Sequence, residues 1–213
     1  MAVDARKGAP RAVFVDKDGT LVRDVPDNVD PARIELMPGA APALAELRGA
    51  GYAIVLVSNQ GGVARGAFSE DELEAVWQRL AELLAPHGVA LDAVYYCPHD
   101  PAGSDPRYAV ACRCRKPQPG LIWRAAADHG YELARSWLVG DILDDIEAGN
   151  RAGCRTILLD VGGETEWLPG PWRRPTCVVH SFGEAAQHIL FPREGRRAGI
   201  RRFRSPPWML PEA

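Results

Sequence analysis

Short apolar runs alternate with amphipathic stretches along most of the chain. Residues 12–15, 53–57, 94–96, 137–139 and 156–159, together with Cys177–Val179, are compact apolar segments bounded by polar or glycine-containing turns, and each reads as a strand. Between them apolar positions recur at helical spacing. A helix is expected over about 38–48, ending before Gly51; another over Gly120–His129; a third running to Ala152 and closed by Gly153; and a last one over Phe182–Leu190 behind a Ser181 cap. Ser69 and Glu72 have capping-box spacing, so a helix starts there with Leu73, Val76, Trp77, Leu80 and Leu83 on its buried face. Strands that alternate with helices predict an α/β fold: a Rossmann-like parallel sheet with helices on both faces.

Two segments depart from the alternation. Residues 97–117, after the third strand, are rich in Pro, Gly, Asp and Arg, and a loop of that length in a compact domain is functional or held by something. From 191 onward the chain carries Arg193, Arg196, Arg197, Arg201, Arg202 and Arg204, with Trp208 and Leu210 as the apolar residues able to pin a solvated basic tail. The expected organisation is an N-terminal tail over 1–10, one domain over 11–190 with the long loop at 97–116, and the tail over 191–213. A total of 213 residues, 46% hydrophobic, suits a single domain with its own core.

A net charge of -3 gives no global attraction to a polyanion, so the composition argues against nucleic acid as a partner except through the tail. The N-terminal residues lack the apolar run of a secretory signal, and no stretch reaches the roughly 18 apolar residues that read as a membrane span. A soluble cytoplasmic protein is expected, monomeric because no unused apolar face is evident. Of the five cysteines, Cys97, Cys112 and Cys114 cluster in the long loop, whereas Cys154 and Cys177 sit in apolar runs as small hydrophobes. Cys97-x-His99 followed by Cys112-x-Cys114 offers three thiolates and an imidazole, a closed tetrahedral set suited to structural Zn²⁺.

The remaining chemistry gathers at strand ends, where ligands of open parallel sheets bind. The first strand ends in Asp16-Lys17-Asp18-Gly19-Thr20, the second in Ser58-Asn59-Gln60 and the fourth in Gly140-Asp141 with Asp144 and Asp145 behind; Lys116 leads into the helix before the fourth strand. Such carboxylates suit Mg²⁺, with Asp16, Asp18 and Asp141 as ligands and Asp145 in support. Asp16 is then placed to attack phosphorus and form an aspartyl-phosphate, Asp18 to act as acid and base, and Ser58 and Lys116 to bind the phosphoryl oxygens. Asp144 reads as a solvent-facing residue in the first turn of a helix.

These segments, Phe14-Val-Asp16-Lys-Asp18-Gly-Thr-Leu21, Ser58-Asn-Gln60, Lys116-Pro117 and Gly140-Asp141-Ile-Leu-Asp-Asp145, resemble the four motifs of the haloacid dehalogenase (HAD) superfamily of phosphatases. The Cys/His loop is similar to that of its D-glycero-D-manno-heptose 1,7-bisphosphate and histidinol-phosphate phosphatases. Residues 58–66, Ser-Asn-Gln-Gly-Gly-Val-Ala-Arg-Gly, resemble the heptose branch more closely. That resemblance implies a sugar phosphate as substrate, contacted by Asp24, Val25, Pro26, Asp27, Ser58, Asn59, Gln60, Gly61, Arg115 and Lys116. Ile142 stands where enterobacterial-type heptose enzymes have a substrate-contacting Lys, which leaves anomer preference and the need for a bisphosphate open. The span from Asp18 to Ser58 leaves no room for a cap domain. Alternatives are a histidinol-phosphate phosphatase, a polynucleotide 3′-phosphatase using the basic tail and, from another class, a binding module that senses phosphosugars without turning them over.

Overall fold

A computed structural model of the chain describes residues 9–192; the expected basic tail from Arg193 and most of the N-terminal tail lie outside them. Six strands, β1 (Arg11–Val15), β2 (Tyr52–Asn59), β3 (Ala93–Cys97), β4 (Trp137–Gly140), β5 (Arg155–Leu159) and β6 (Cys177–Val179), form one sheet in the order β3-β2-β1-β4-β5-β6. Every neighbouring pair is parallel. The main connecting helices are α1 (Ala40–Gly49), α2 (Gly62–Arg65), α3 (Glu70–Leu84), α4 (Gly120–His129), α5 (Leu143–Ala152) and α6 (Phe182–Leu190). The strand order reverses between β1 and β4, and such a switch point opens a crevice beyond the carboxyl ends of the two strands.

Alternation along the central strands divides the core into two layers. Val13 and Val15 of β1, with Ile54 and Leu56 of β2, join Leu44 and Leu47 of α1, Val76 and Leu80 of α3 and Phe182 and Ile189 of α6 on one face. Ala12, Phe14, Val55 and Val57 face the other way, against Leu121, Ile122 and Ala125 of α4 and Ala148 and Ala152 of α5. A strand buried on both faces has no polar side, which is why these runs read as continuously apolar. Fully burying a side chain such as Phe14 or Leu56 contributes about 1.5–3 kcal/mol, so the centre of the sheet is where the fold's cohesion concentrates.

The strand boundaries mostly extend the expected ones by one or two residues. β2 is the consequential case, because it runs on through Ser58 and Asn59 and so places them inside regular backbone. α1 starts at Ala40, two residues later than the pattern implied. α3 has the capping box in full: the Ser69 side chain accepts from the Glu72 amide, and Glu72 returns to the Ser69 backbone. Its buried stripe is Leu73, Val76, Leu80 and Leu84, a correction to the expected one; Trp77 and Leu83 are only half-buried and pack at the margin of that core. Cys154 is buried as expected, while Cys177 on edge strand β6 is half-buried. Asp144 is not the solvent-facing residue expected: it is half-buried and pairs with Arg173 at 2.5 Å.

Candidate active site

The chain turns sharply after β1 because Gly19 adopts a left-handed conformation, φ 74°, and because a Cβ there would collide with the Asp141 carboxylate. That close approach brings the ends of β1 and β4 together: the Asp16 amide donates to the Val139 carbonyl at 3.0 Å, and the Thr20 hydroxyl donates to Asp141 Oδ1 at 2.9 Å. Asp16, Asp141 and Asp145 offer carboxylate oxygens that all lie within 4.8 Å of one another, and all three residues are buried. Lys116 sits among them, its ammonium donating to Asp16 Oδ1 and pairing with Asp145 Oδ1 at 2.5 Å.

One ammonium cannot neutralise three carboxylates, and the acids register the imbalance. Burial raises the Asp16 carboxyl well above its ordinary value; Lys116 opposes this, and Asp145, Asp141 and Asp18 add to it. Burial, with Asp145 beside it, lifts Asp141 to about 7 against the pull of the Thr20 hydrogen bond. For Lys116 burial alone would favour the neutral amine, but Asp145 and Asp16 outweigh it and hold the proton more firmly than usual. Buried oxygen donors with excess negative charge fit a hard divalent cation, which takes such ligands and would offset their repulsion.

The segment that supplies Lys116 is held by β2. Asn59 Oδ1 accepts from the Lys116 amide at 2.9 Å, and Asn59 Nδ2 donates to the Lys116 carbonyl at 3.1 Å, so both ends of the Asn59 amide grip that residue's backbone. Gln60 Nε2 donates to Ser58 Oγ at 2.7 Å and to Asp18 Oδ2 at 3.2 Å. Because Ser58 accepts from Gln60, its own O–H remains able to donate.

Just before Lys116 the long loop folds back on itself. Cys97, His99, Cys112 and Cys114 present donor atoms within 4.8 Å of one another. Cys97 Sγ lies 3.0 Å from Cys114 Sγ and 3.5 Å from Cys112 Sγ, and His99 Nδ1 lies 3.3 Å from Cys114 Sγ. Zn–S bonds of about 2.3 Å in a tetrahedron put sulfurs roughly 3.7 Å apart, so the set is already gathered to nearly that size. The hydrogen bond shared by Cys97 and Cys114 lowers the Cys114 thiol and, together with burial, raises that of Cys97. The Arg115 amide donates to Cys112 Sγ at 3.3 Å, fixing the step from the cluster to Lys116.

Sequence and structure comparisons meet at this geometry. The family described as HAD-hydrolase-like matches residues 113–185. The D-glycero-β-D-manno-heptose-1,7-bisphosphate 7-phosphatase of Photorhabdus laumondii is 39% identical over 159 residues, covering 72% of this chain and 81% of that protein. The enzyme of the same name from Escherichia coli K12 is 38% identical over 178 residues, 84% and 93% of the two chains. A D,D-heptose 1,7-bisphosphate phosphatase from B. bronchiseptica, solved with magnesium and phosphate, superposes with a TM-score of 0.70 at 32% identity, covering 84% of this chain and 98% of that one. The chain belongs to this family of HAD-like phosphatases.

A cavity of about 240 Å³ is lined by Lys17 and Asp18, the two residues that follow Asp16. Residues 24–28 wall it on one side, and residues 59–62 with Arg65 and Phe68 on the other. Asp24, Val25, Pro26, Asp27, Asn59, Gln60 and Gly61 all border it, whereas the Arg115 guanidinium is turned to the His99 carbonyl at 3.0 Å and to Asp100 at 3.3 Å. Asp145 completes the carboxylate triad with Asp16 and Asp141, and the Asp18 carboxylate lies 2.6 Å from Lys17 Nζ. An ammonium on the neighbouring residue draws Asp18 toward the cavity, where it also meets Gln60. Arg65, inside the 58–66 segment, has no role of its own in the sequence pattern, and Asp100 is not singled out by it. A lone Arg after a Gly-rich turn and an Asp after a metal-type His carry no periodic signal, although the adjacency of Asp100 to His99 was a usable clue. No helix among the described residues is long and apolar enough to cross a membrane.

Proposed function

We propose that this protein is a magnesium-dependent phosphatase that removes the 7-phosphate of D-glycero-D-manno-heptose 1,7-bisphosphate, the β anomer named for its relatives, by way of a phosphorylated Asp16. The observation that carries the reading is the convergence of Asp16, Lys116, Asp141 and Asp145 at the carboxyl ends of β1 and β4, with Asp18, two residues after Asp16, lining a small polar cavity. Asp16 and Asp141 would hold Mg²⁺ with Asp145 behind them, and the ion, when bound, lowers the repulsion between an anionic nucleophile and an anionic phosphate.

The chain's own groups account for the remaining steps. The free Asp16 oxygen forms a bond to phosphorus as the bond from phosphorus to the sugar oxygen breaks, and Asp18 gives that oxygen its proton. Asp18 then takes a proton from the water that attacks the phospho-aspartate, which releases inorganic phosphate and restores the Asp16 carboxylate. Lys116 and the Ser58 hydroxyl hold the equatorial oxygens, where charge spreads in the transition state. Residues 24–27 and 59–61 would receive the sugar. Cys97, His99, Cys112 and Cys114 would bind Zn²⁺ with no position left for water, so that site orders the loop leading to Lys116 and takes no part in the chemistry.

A phosphate-release panel with Mg²⁺ tests the assignment: both heptose 1,7-bisphosphate anomers, histidinol phosphate and a 3′-phosphorylated nicked duplex. The highest kcat/KM is expected on the β-bisphosphate. A higher value on histidinol phosphate or on the duplex overturns it, and binding of the bisphosphate without phosphate release would make the protein a sensor.

A further inference from the structure

The two walls of the cavity come from segments far apart in sequence, and one side chain joins them. Arg65 Nη2 donates to Asp27 Oδ1 at 2.6 Å, and Arg65 Nη1 donates to Asp100 Oδ2 at 2.7 Å. Asp27 belongs to the wall formed by residues 24–28, and Asp100 follows His99 in the metal loop. Among the described residues, Arg65 with Asp27 is the one ion pair linking residues 24–28 to the opposite wall. The remaining hydrogen bonds of that wall are local: Asn28 to Val25 at 3.2 Å, and Asn28 with Asp30.

Four further observations show that the surroundings are shaped for this bridge. Asp27 takes up a left-handed backbone, φ 50°, uncommon for a residue with a side chain. Gly62 leaves open the space beside it, since a Cβ there would come within 2.8 Å of Asp27 Oδ1. Asp100 is only 12% exposed at its side chain and shares its Oδ2 with Arg115, so the far end of the bridge is anchored in the metal loop. That loop is itself seated on α2: the Ser104 and Asp105 amides both donate to the Ala64 carbonyl, at 2.8 and 2.9 Å.

We propose that Arg65 is a positioning residue that holds the wall of residues 24–28 against the metal loop and so sets the affinity for the sugar portion of the substrate. With both arms of its guanidinium on carboxylates it is neutralised, and a neutralised Arg is a poor phosphate ligand; it is suited to fix the shape of the site. The kinetic part of this inference rests on the function proposed above. The part concerning the wall does not.

The experiment uses the purified, metal-loaded full chain and two variants, Arg65→Met and Asp27→Asn; the second takes the charge from the more exposed arm only and leaves Arg65 on Asp100, so it remains informative if the first misfolds. Amide hydrogen exchange across residues 24–30 is expected to quicken about tenfold in both variants without substrate, with metal content per chain unchanged. KM for the heptose bisphosphate is expected to rise about tenfold while kcat stays within about threefold, and the double variant is expected to lose no more than Arg65→Met alone. Unchanged exchange in both variants, or losses that multiply in the double variant, would overturn the clamp. Faster exchange with an unaltered KM overturns its role in affinity. Should the unmodified enzyme fail to turn over the bisphosphate while the variants still exchange faster, the clamp stands and the proposed substrate falls.

Discussion

The reaction centre and the cavity lined by Lys17 and Asp18 are built by opposite means. Around Asp16 the geometry is set by parallel backbone: two neighbouring strands end side by side, and the carboxylates stand where the sheet puts them, buried and crowded around one lysine. In the cavity walls and the metal loop there is little regular structure, and shape comes from side chains tying one loop to another, through Arg65, Asp100 and the Cys/His set. A sheet edge tolerates loss of a single contact because the ladder remains. A side-chain tether has no such reserve, so damage in the second region should appear as altered affinity or metal content, and damage in the first as lost chemistry.

The largest contrast is expected at Asp16. Asp16→Asn keeps the shape but removes the nucleophile, and phosphate release should fall by about three orders of magnitude or more, with little change in thermal melting. A variant retaining a tenth of the activity would break the assignment of this residue. Next comes Lys116→Met, which strips from buried Asp16 and Asp145 the one ammonium that pairs with them among the described residues. Unpairing buried charges costs about 3–5 kcal/mol, so urea melts should show a loss of that order together with a fall in kcat of about a hundredfold.

Cys112→Ser addresses the tethered region. Metal content measured by atomic emission should drop below one zinc per chain, and activity should fall about tenfold through loosening of residues 97–116. Retention of a full equivalent would mean that the four residues do not form one site. Asn59→Ala probes the seam between the regions. Losing two hydrogen bonds to the Lys116 backbone, each worth about 0.5–1.5 kcal/mol, should lower kcat by between about fivefold and a hundredfold in steady-state assays. The smallest effect is expected from Asp144→Ala, which removes a half-exposed pair with Arg173; chemical denaturation should register no more than about 1 kcal/mol.

The same division explains what could be read from the chain. The strands, the helices and the carboxylates at their ends were legible because buried strands are continuously apolar and a polar residue directly after one must sit at the sheet edge. The Cys/His set was legible by spacing alone. What the sequence did not reveal was orientation. That Asp18 turns to Lys17 and Gln60 while Asp145 joins Asp16 and Asp141 depends on contacts among residues distant along the chain. Nor did it reveal that Asn59, expected to touch substrate, has both ends of its amide on Lys116 backbone, or that Arg115 is turned toward the metal loop while Arg65 borders the cavity. Residue types at strand ends announce chemistry; the partner each side chain selects is settled by packing.

The end of β2 has one more implication. Ser58, Asn59 and Gln60 are consecutive, yet the outer two reach toward one another while the middle one grips the chain at Lys116. Successive residues of extended backbone point to opposite sides, so a slip of β2 by a single residue would exchange these duties wholesale. Insertions or deletions should therefore be accepted far more readily at the tip of the metal loop than anywhere along this strand.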